Sequence, residues 1–430
     1  MPLQTVFVPG NAAAVDSGMA PAHVPGAVSA TPDRPPARDA YDIAVLGGGL
    51  LGAAVAERLR ALAPERSLLL VEQGGLPNED GATVASPGLI PPPASAAVEG
   101  DRPDLPLALA WVRSWLTEAL GPSRAAADAG RAGWLALVSD GDGDAGAAAA
   151  GPPEAPRALG ELLPEPAAEV VCALTGVSPD RPAWLLEGGY VSAEALALAL
   201  AGTAVRAGAD LMLNTRALPH GATRIVLERL AADRRMRVGV HARQAVTASV
   251  VVVACGAAGA ELAEQGLYRP TGLSSAFLQY PRVRLEARLR GRGLPGAPLP
   301  AISLAGWAWR PTSEGALLVA PPPPPDPEGF LPVGGRLLGV PVGLRREMLD
   351  RLLAAPALAP LLASGRLELG KSVRGVRGAR VSVPGDGRPV ARRLDDGWWL
   401  LAGGSRGLAH DLAAAVRLAA DVVGAAAPWG

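Results

Sequence analysis

Residues 41–59 read YDIAVLGGGLLGAAVAERL: a short apolar run, a glycine-rich turn, then a stretch of helix-forming composition. Gly47, Gly49 and Gly52 satisfy G-x-G-x-x-G directly after a predicted strand, Ile43 to Leu46, and at the start of a predicted helix, the context that gives the pattern meaning. In such a turn the first glycine permits the tight reversal and the third lets helix and strand pack closely. The second lets the backbone approach a pyrophosphate held at the positive end of the helix. The chain has 53 glycines, so a bare glycine pattern would carry little weight. A second apolar run supplies it: SLLLVEQ at 67–73 carries Glu72, twenty residues beyond Gly52. A carboxylate there accepts hydrogen bonds from ribose hydroxyls and disfavours a ribose 2′-phosphate. Together these residues predict a β–α–β unit that binds a dinucleotide, with Leu50, Leu51 and Gln73 among the contacting residues. They do not choose between NAD and FAD.

At 430 residues the chain is too long for one ordinary core, so it predicts two domains or one large α/β domain with an inserted part. Hydrophobic residues make up 49% and the formal net charge is −1, which argues against whole-chain disorder and against electrostatic binding of nucleic acid. A small molecule is the expected partner. Cys172 and Cys255 are the only cysteines and each lies in an apolar run, as buried small hydrophobes do, so neither a disulfide framework nor a metal cluster is expected. A reducing, cytoplasmic location fits that usage. His220 and His241 fall in predicted strands or turns and suggest no metal site. Residues 1–40 lack the charged start and apolar core of a signal peptide and read as a disordered tail. No apolar run reaches the roughly 18 residues of a membrane span, the densest being VTASVVVVACGAAG at 246–259, so no transmembrane segment is expected.

Further along, LALAWVRSWLTEAL at 107–120 predicts a helix, and 139–169 has the composition of a low-complexity insert. Residues 188–215 predict a short strand, a helix capped by Ser192 and another strand. Strands are expected near 224–230 and 236–242, and again where the valine run at 246–259 suits a strand buried on both faces. A strand at 280–290 and an extended loop at 321–328 (PPPPPDPE) follow, and the chain closes on an Ala-rich helix near 409–424.

Several segments resemble, in order, the D-amino-acid oxidase and glycine/sarcosine oxidase family of FAD-dependent amine oxidoreductases. They are GATVASPGLI (81–90), GGYV (188–191), VVVACGAAG (251–259), WRPTSEGALLVA (309–320), GVRGARVSVPGDGRPV (375–390) and WLLAGGSRGLAHDLAAAVRLAADVV (399–423). With the first glycine turn they span about residues 41–424, and no second G-x-G-x-x-G occurs in mid-chain. The resemblance implies one non-covalent FAD and no nicotinamide. It puts Ala82 and Thr83 near the pyrophosphate, Gly256 near the adenosine half, and Gly403, Gly404, Arg406, Gly407 and Leu408 near the flavin ring and ribityl chain.

The implied fold is α/β, a Rossmann-like, glutathione-reductase-like FAD domain with a second, antiparallel-sheet α+β substrate domain. The FAD domain is expected to be discontinuous, from 41–100, 187–268 and 372–430, and the substrate domain to comprise 101–186 and 269–371. The implied reaction is hydride transfer from an amine or amino acid to flavin N5, with dioxygen or a quinone taking the electrons. Arg310 and Arg377 match family arginines and would suit a substrate carboxylate, while a structural salt bridge explains either one as well. The family's Gly-His-Gly-like turn is replaced here by Gly403-Gly404-Ser405, and His410 comes later, as a substrate contact or an ordinary helix histidine. Trp307 and Trp309 would wall a pocket or fill a core. A flavin monooxygenase or halogenase shares the first glycine motif, but its usual Gly-Ala-Asp-Gly-like strand end is ACGAAG in this chain. A non-catalytic flavin-binding relative is the third alternative.

Overall fold

The structure is a computed structural model that describes residues 36–78, 81–90, 104–120, 134–137, 160–162, 183–186, 189–221, 223–232, 238–267, 271–284, 301–304, 307–311, 316–320, 350, 352–354, 373–384, 386–395, 397–404 and 407–429. Its strands in chain order begin with β1 (Ala40–Leu46), β2 (Leu68–Val71), β3 (Leu89–Ile90), β4 (Trp134–Leu137), β5 (Gly160–Leu162) and β6 (Ala183–Leu186). Then come β7 (Gly189–Tyr190), β8 (Asp210–Met212), β9 (Thr215–His220), β10 (Arg224–Ala232), β11 (Val238–Val253) and β12 (Ser274–Arg284). The last are β13 (Ala301–Leu304), β14 (Trp307–Pro311), β15 (Ala316–Ala320), β16 (Val373–Val383), β17 (Val390–Asp395) and β18 (Trp398–Ala402). The helices used below are α1 (Leu50–Leu62), α2 (Ala82–Ala85), α3 (Leu105–Leu120), α4 (Ala193–Arg206), α5 (Gly259–Leu267) and α6 (Leu408–Val423).

Five strands form a parallel array in the order β18-β11-β1-β2-β8, edged by antiparallel β17. At their buried centre they are apolar on both faces, and alternation sorts the residues. Ile43, Val45, Leu68, Leu70 and Val252 pack on α1, α3, α4 and α6, whereas Ala44, Leu46, Leu69, Val71, Val251 and Val253 pack towards Ile225, Leu227 and Val246 of the β10–β11 meander. Each fully buried Leu or Val is worth about 1.5–3 kcal/mol, so this sandwich is a rigid base for the loops at its edge. Strand β1 sits in the middle: the chain leaves it towards β2 on one side and comes back to β11 on the other. The carboxyl ends of β1 and β11 therefore border a topological switch point, where open α/β sheets bind ligands.

The second sheet has eight strands among the described residues, in the order β16-β12-β15-β14-β13-β4-β6-β5. Its pairs are antiparallel except β13 with β4, so it is mixed rather than wholly antiparallel. Strands β3 and β7 form a separate antiparallel pair, and the Arg310 guanidinium of β14 lies 5.7 Å from the centroid of the Tyr190 ring of β7.

The structure differs from the expected boundaries in five places. The strands expected at 236–242 and 246–259 are one, β11, whose first half pairs antiparallel with β10 and whose second half pairs parallel with β1. No Gly or Pro interrupts HARQAVTASVVVV, so nothing breaks the extended chain between the two roles. Helix α3, expected in the substrate domain, buries Leu105, Leu109, Val112 and Leu116 in the same core as α1, α4 and α6. Strand β16, expected in the FAD domain, pairs with β12 of the second sheet. Part of the supposed insert at 139–169 is β5, an edge strand on β6. Finally, Ala40 begins β1 and the Asp39 carbonyl accepts from Thr247 N, so the end of the expected tail is bound to the sheet. Residues 1–35, the rest of 139–169 and the loop at 321–328 lie outside the described residues.

Candidate functional site

The first glycine turn is built by backbone contact. Gly47 donates its N–H to Val71 O at 2.8 Å and has a φ of +104°, a conformation that favours glycine. A Cβ on residue 47 would stand 2.5 Å from Ala254 O, and one on residue 52 would stand 1.8 Å from Gly47 O. The end of β1, the end of β11 and the first turn of α1 are thus pressed together at the switch point. Gly49 is different. It is the N-cap of α1, and the nearest atom to a Cβ there would be the Thr83 hydroxyl, at 3.1 Å.

That hydroxyl accepts the N–H of Leu50 at 2.9 Å. A hydroxyl that accepts from the helix still has its own proton to give, so Thr83 relays the helix's donor capacity outward. Helix α1 carries no acid in its first turn, and its positive end is left without a side-chain counter-charge from its own residues. Leu51 and Ala82 are partly exposed beside this end.

Glu72 is buried at the end of β2. Its Oε2 accepts from Gly48 N at 2.7 Å, and its Oε1 accepts from Gly74 N and from Asn78 Nδ2, each at 2.9 Å. A carboxylate has about four lone-pair positions, so about one is left for a ribose hydroxyl. Gln73 is exposed. The supporting donors Gly48, Gly74 and Asn78 were missed by sequence reasoning, although the cluster GGLPN marks a turn that could present them. Across the crevice, the Cys255 thiol donates to Leu46 O at 3.1 Å and is pushed up to about 12 by burial, with the charge of Glu72 adding to the effect. Gly256 has a φ of +55°, and nothing lies within 4 Å of the place its Cβ would occupy.

The C-terminal turn joins this assembly. A Cβ on Gly403 would stand 2.9 Å from Asp411 Oδ2 and 3.5 Å from Leu51 Cδ1, so glycine turns some 350 residues apart in the chain meet at Leu51. Gly404 donates its N–H to Asp411 Oδ1 at 2.8 Å. Gly407, with a φ of +104°, is the N-cap of α6, and Leu408 behind it is buried. Arg406 lies outside the described residues. Asp411 carried no sequence signal; an acid in a helix's first turn is ordinary.

The proposed substrate contacts are scattered. His410 is buried in the first turn of α6. Arg310 stands on β14 over Tyr190, and Arg377 stands on β16 opposite Tyr280, with its side chain outside the described residues. Trp307 and Trp309 alternate along β14 opposite Leu304 and Ile302, and their side chains too lie outside the described set. Among the described residues no group of three or more His, Cys, Asp and Glu could hold a metal ion, and no helix is long and apolar enough to cross a membrane.

A parallel sheet whose first turn is G-x-G-x-x-G, with an acid at the end of the next strand and a positive helix end at the switch point, defines a dinucleotide-binding α/β protein. The groups present fit FAD in particular: a helix end with no acid in its own first turn for the pyrophosphate, a carboxylate with room to accept from a ribose hydroxyl, and a second glycine turn brought to the first by Leu51. The chain belongs to the FAD dependent oxidoreductase (DAO) family, which it matches over residues 42–420, and it is an FAD-dependent oxidoreductase. No curated protein matches it. Among solved structures, glycine oxidase from Geobacillus kaustophilus is similar at 19% identity, with 91% of this chain and 96% of that chain covered and a TM-score of 0.59. Iminodiacetate oxidase from Chelativorans sp. BNC1 is similar at 19% identity, with 90% and 96% covered and a TM-score of 0.61. L-amino acid deaminase from Proteus myxofaciens, in complex with anthranilate, is similar at 16% identity, with 92% and 93% covered and a TM-score of 0.61. At these identities the likeness is one of fold. The monooxygenase or halogenase alternative is not favoured.

Proposed function

We propose that the protein oxidises the C–N bond of an amine or amino acid, using one non-covalent FAD. The observation that carries this reading is family membership over residues 42–420, joined to the fold it shares with a glycine oxidase, an iminodiacetate oxidase and an amino acid deaminase. When bound, FAD supplies the two-electron acceptor at its isoalloxazine ring. The protein's share is binding, orientation and electrostatics.

In this reading Gly47, Gly49, Leu50, Leu51 and Gly52, with Ala82 and Thr83, hold the pyrophosphate. Backbone N–H groups at the start of α1 and the Thr83 hydroxyl proton meet its charge. Glu72, with Gln73 beside it, takes the adenosine ribose, and Gly256 lies by the adenosine half. Gly403, Gly404, Arg406, Gly407 and Leu408 take the ribityl chain and ring. Segments 41–100, 187–268 and 372–430 supply the cofactor domain, joined by α3 and without β16. The second sheet supplies the substrate-facing, largely antiparallel domain. Arg310 and Arg377 are its candidates for pairing with a substrate carboxylate, since a guanidinium offers two parallel donors, and His410 approaches from α6. These groups orient a neutral amine so that its Cα–H faces the cofactor. Dioxygen or a quinone is the electron acceptor, no nucleic acid takes part, and the location is cytoplasmic, in line with two isolated cysteines.

The test is anaerobic mixing of the purified holoprotein with a panel of amines and amino acids while the flavin absorbance is followed. Bleaching by at least one of them is expected. Bleaching by NAD(P)H alone would overturn the reading in favour of a monooxygenase, and failure to take up FAD on reconstitution would overturn the cofactor assignment.

A further inference from the structure

Asp411 stands in the first turn of α6, four residues after the N-cap Gly407. One carboxyl oxygen, Oδ1, accepts the Gly404 amide at 2.8 Å. The other, Oδ2, lies 2.9 Å from the place of a Cβ on Gly403, a place that Leu51 of α1 also approaches, to 3.5 Å. The carboxyl is thus held where the two glycine turns meet, and among the described residues Oδ2 has no hydrogen-bond partner.

We propose that Asp411 is a positioning residue of the FAD site: it fixes the Gly403–Gly404 turn through Oδ1 and offers Oδ2 to the polar edge of the flavin. This rests on the FAD reading above and adds a residue to it.

Its chemistry follows from its surroundings. Burial, opposed by the Gly404 amide, pushes the carboxyl up to about 7, so near neutral pH a large share of it is the neutral acid. A neutral carboxyl donates as well as accepts. A donor at the flavin edge where negative charge gathers on reduction favours the reduced cofactor, whereas an ionised carboxylate there opposes it. The neighbouring ionisable residues are His410 on the same helix turn and Arg388, whose main chain abuts Gly404, while Arg406 lies outside the described residues.

Two substitutions separate this role from simple packing. Asp411→Asn keeps an oxygen for the Gly404 N–H and puts an N–H donor at the other atom, so it imitates the neutral acid. Asp411→Ala removes both. The measurements are the FAD dissociation constant from a titration of apoprotein, the visible absorption bands of the bound flavin, the flavin midpoint potential below about pH 6, where the carboxyl is mainly the neutral acid, and the melting temperature of the apoprotein. Asp411→Ala is expected to weaken FAD about tenfold, the equivalent of one hydrogen bond, to shift the flavin bands and to make the potential more negative. Asp411→Asn is expected to bind FAD within about threefold of the parent, with parent-like bands. An alanine variant with parent-like affinity, bands and potential would overturn the proposal, whatever its melting temperature. If the alanine variant does not fold, the asparagine variant decides: loss of FAD from it, with a parent-like apoprotein melting temperature, would overturn the proposal equally. A parent chain that takes up no FAD would instead overturn the cofactor reading itself.

Discussion

The two glycine turns of the site look alike in sequence, and each joins glycines built on different physics. In the first, the missing side chains of Gly47 and Gly52 face main-chain oxygens, at 2.5 and 1.8 Å from the places of their Cβ atoms, and cannot be added without moving a strand. Gly49 between them faces only a threonine hydroxyl. In the second, Gly404 is closed by the Gly387 carbonyl at 2.5 Å, but Gly403 is bordered by the side chains of Asp411 and Leu51. Glycines pressed against backbone are demanded by folding. Glycines that face side chains or open space leave room for a ligand, and the two kinds can be told apart only by what stands opposite them.

The largest expected effect comes from crossing the first kind. Gly52→Val should cost more than about 3 kcal/mol, because the backbone of residue 47 cannot retreat without unpairing β1 from β2, and urea denaturation should show it. A parent-like unfolding midpoint would break the distinction at its strongest point. Gly49→Val should cost the apoprotein far less than Gly52→Val, since φ there is −61° and the near neighbour is one side-chain hydroxyl rather than backbone, yet lower FAD affinity at least about a hundredfold. Flavin content after purification and a titration of apoprotein check it; retention of FAD would remove Gly49 from the cofactor site.

What was legible in the sequence was local. The β1–α1–β2 unit declares itself through an apolar run, a glycine spacing and an acid twenty residues on, and Ser192 caps α4 as expected, accepting from Ala195 N at 3.2 Å. Contacts between distant segments left no such mark. Helix α3 is amphipathic in a way that would suit either domain, and only its packing on α1 and α6 assigns it. Strand β11 reads as two strands because its first half is mostly exposed and its second half ends in four consecutive valines, while the backbone runs through both. The partners of Glu72 and the whole role of Asp411 depend on turns that fold back from elsewhere. The sequence pattern found the acid at 72 because the motif fixes its spacing, and it passed over the acid at 411 because no spacing rule points there.

Glu72 shows how a legible residue can be more deeply committed than its motif suggests. One carboxylate oxygen serves Gly48 N while the other serves Gly74 N and Asn78 Nδ2. Glu72→Gln has only one acceptor oxygen, so its amide N–H₂ must face a donor on one side or the other. The expected cost is about 1–3 kcal/mol in apoprotein stability, together with FAD binding weaker by about tenfold or more. Calorimetry of the apoprotein and the same FAD titration separate the two losses. A loss of affinity with no loss of stability would mean that the Gly48 and Gly74 bonds are easily replaced by water.

The smallest effect belongs to the second turn and depends on pH. Folding raises the Asp411 carboxyl from its ordinary 3.8 to about 7, chiefly by burial. Between those values the folded chain holds a proton that the unfolded chain releases, so this residue's stabilising contribution is complete below pH 4 and is lost as pH rises through 7. Asparagine does not ionise. Asp411→Asn apoprotein should therefore melt with the parent at pH 4 and above it by about 2–4 °C at pH 8, a modest gain because the half-buried carboxyl is partly screened by solvent. Melting curves across that range test it. A difference that stays constant with pH would mean that the carboxyl ionises in the second turn without cost.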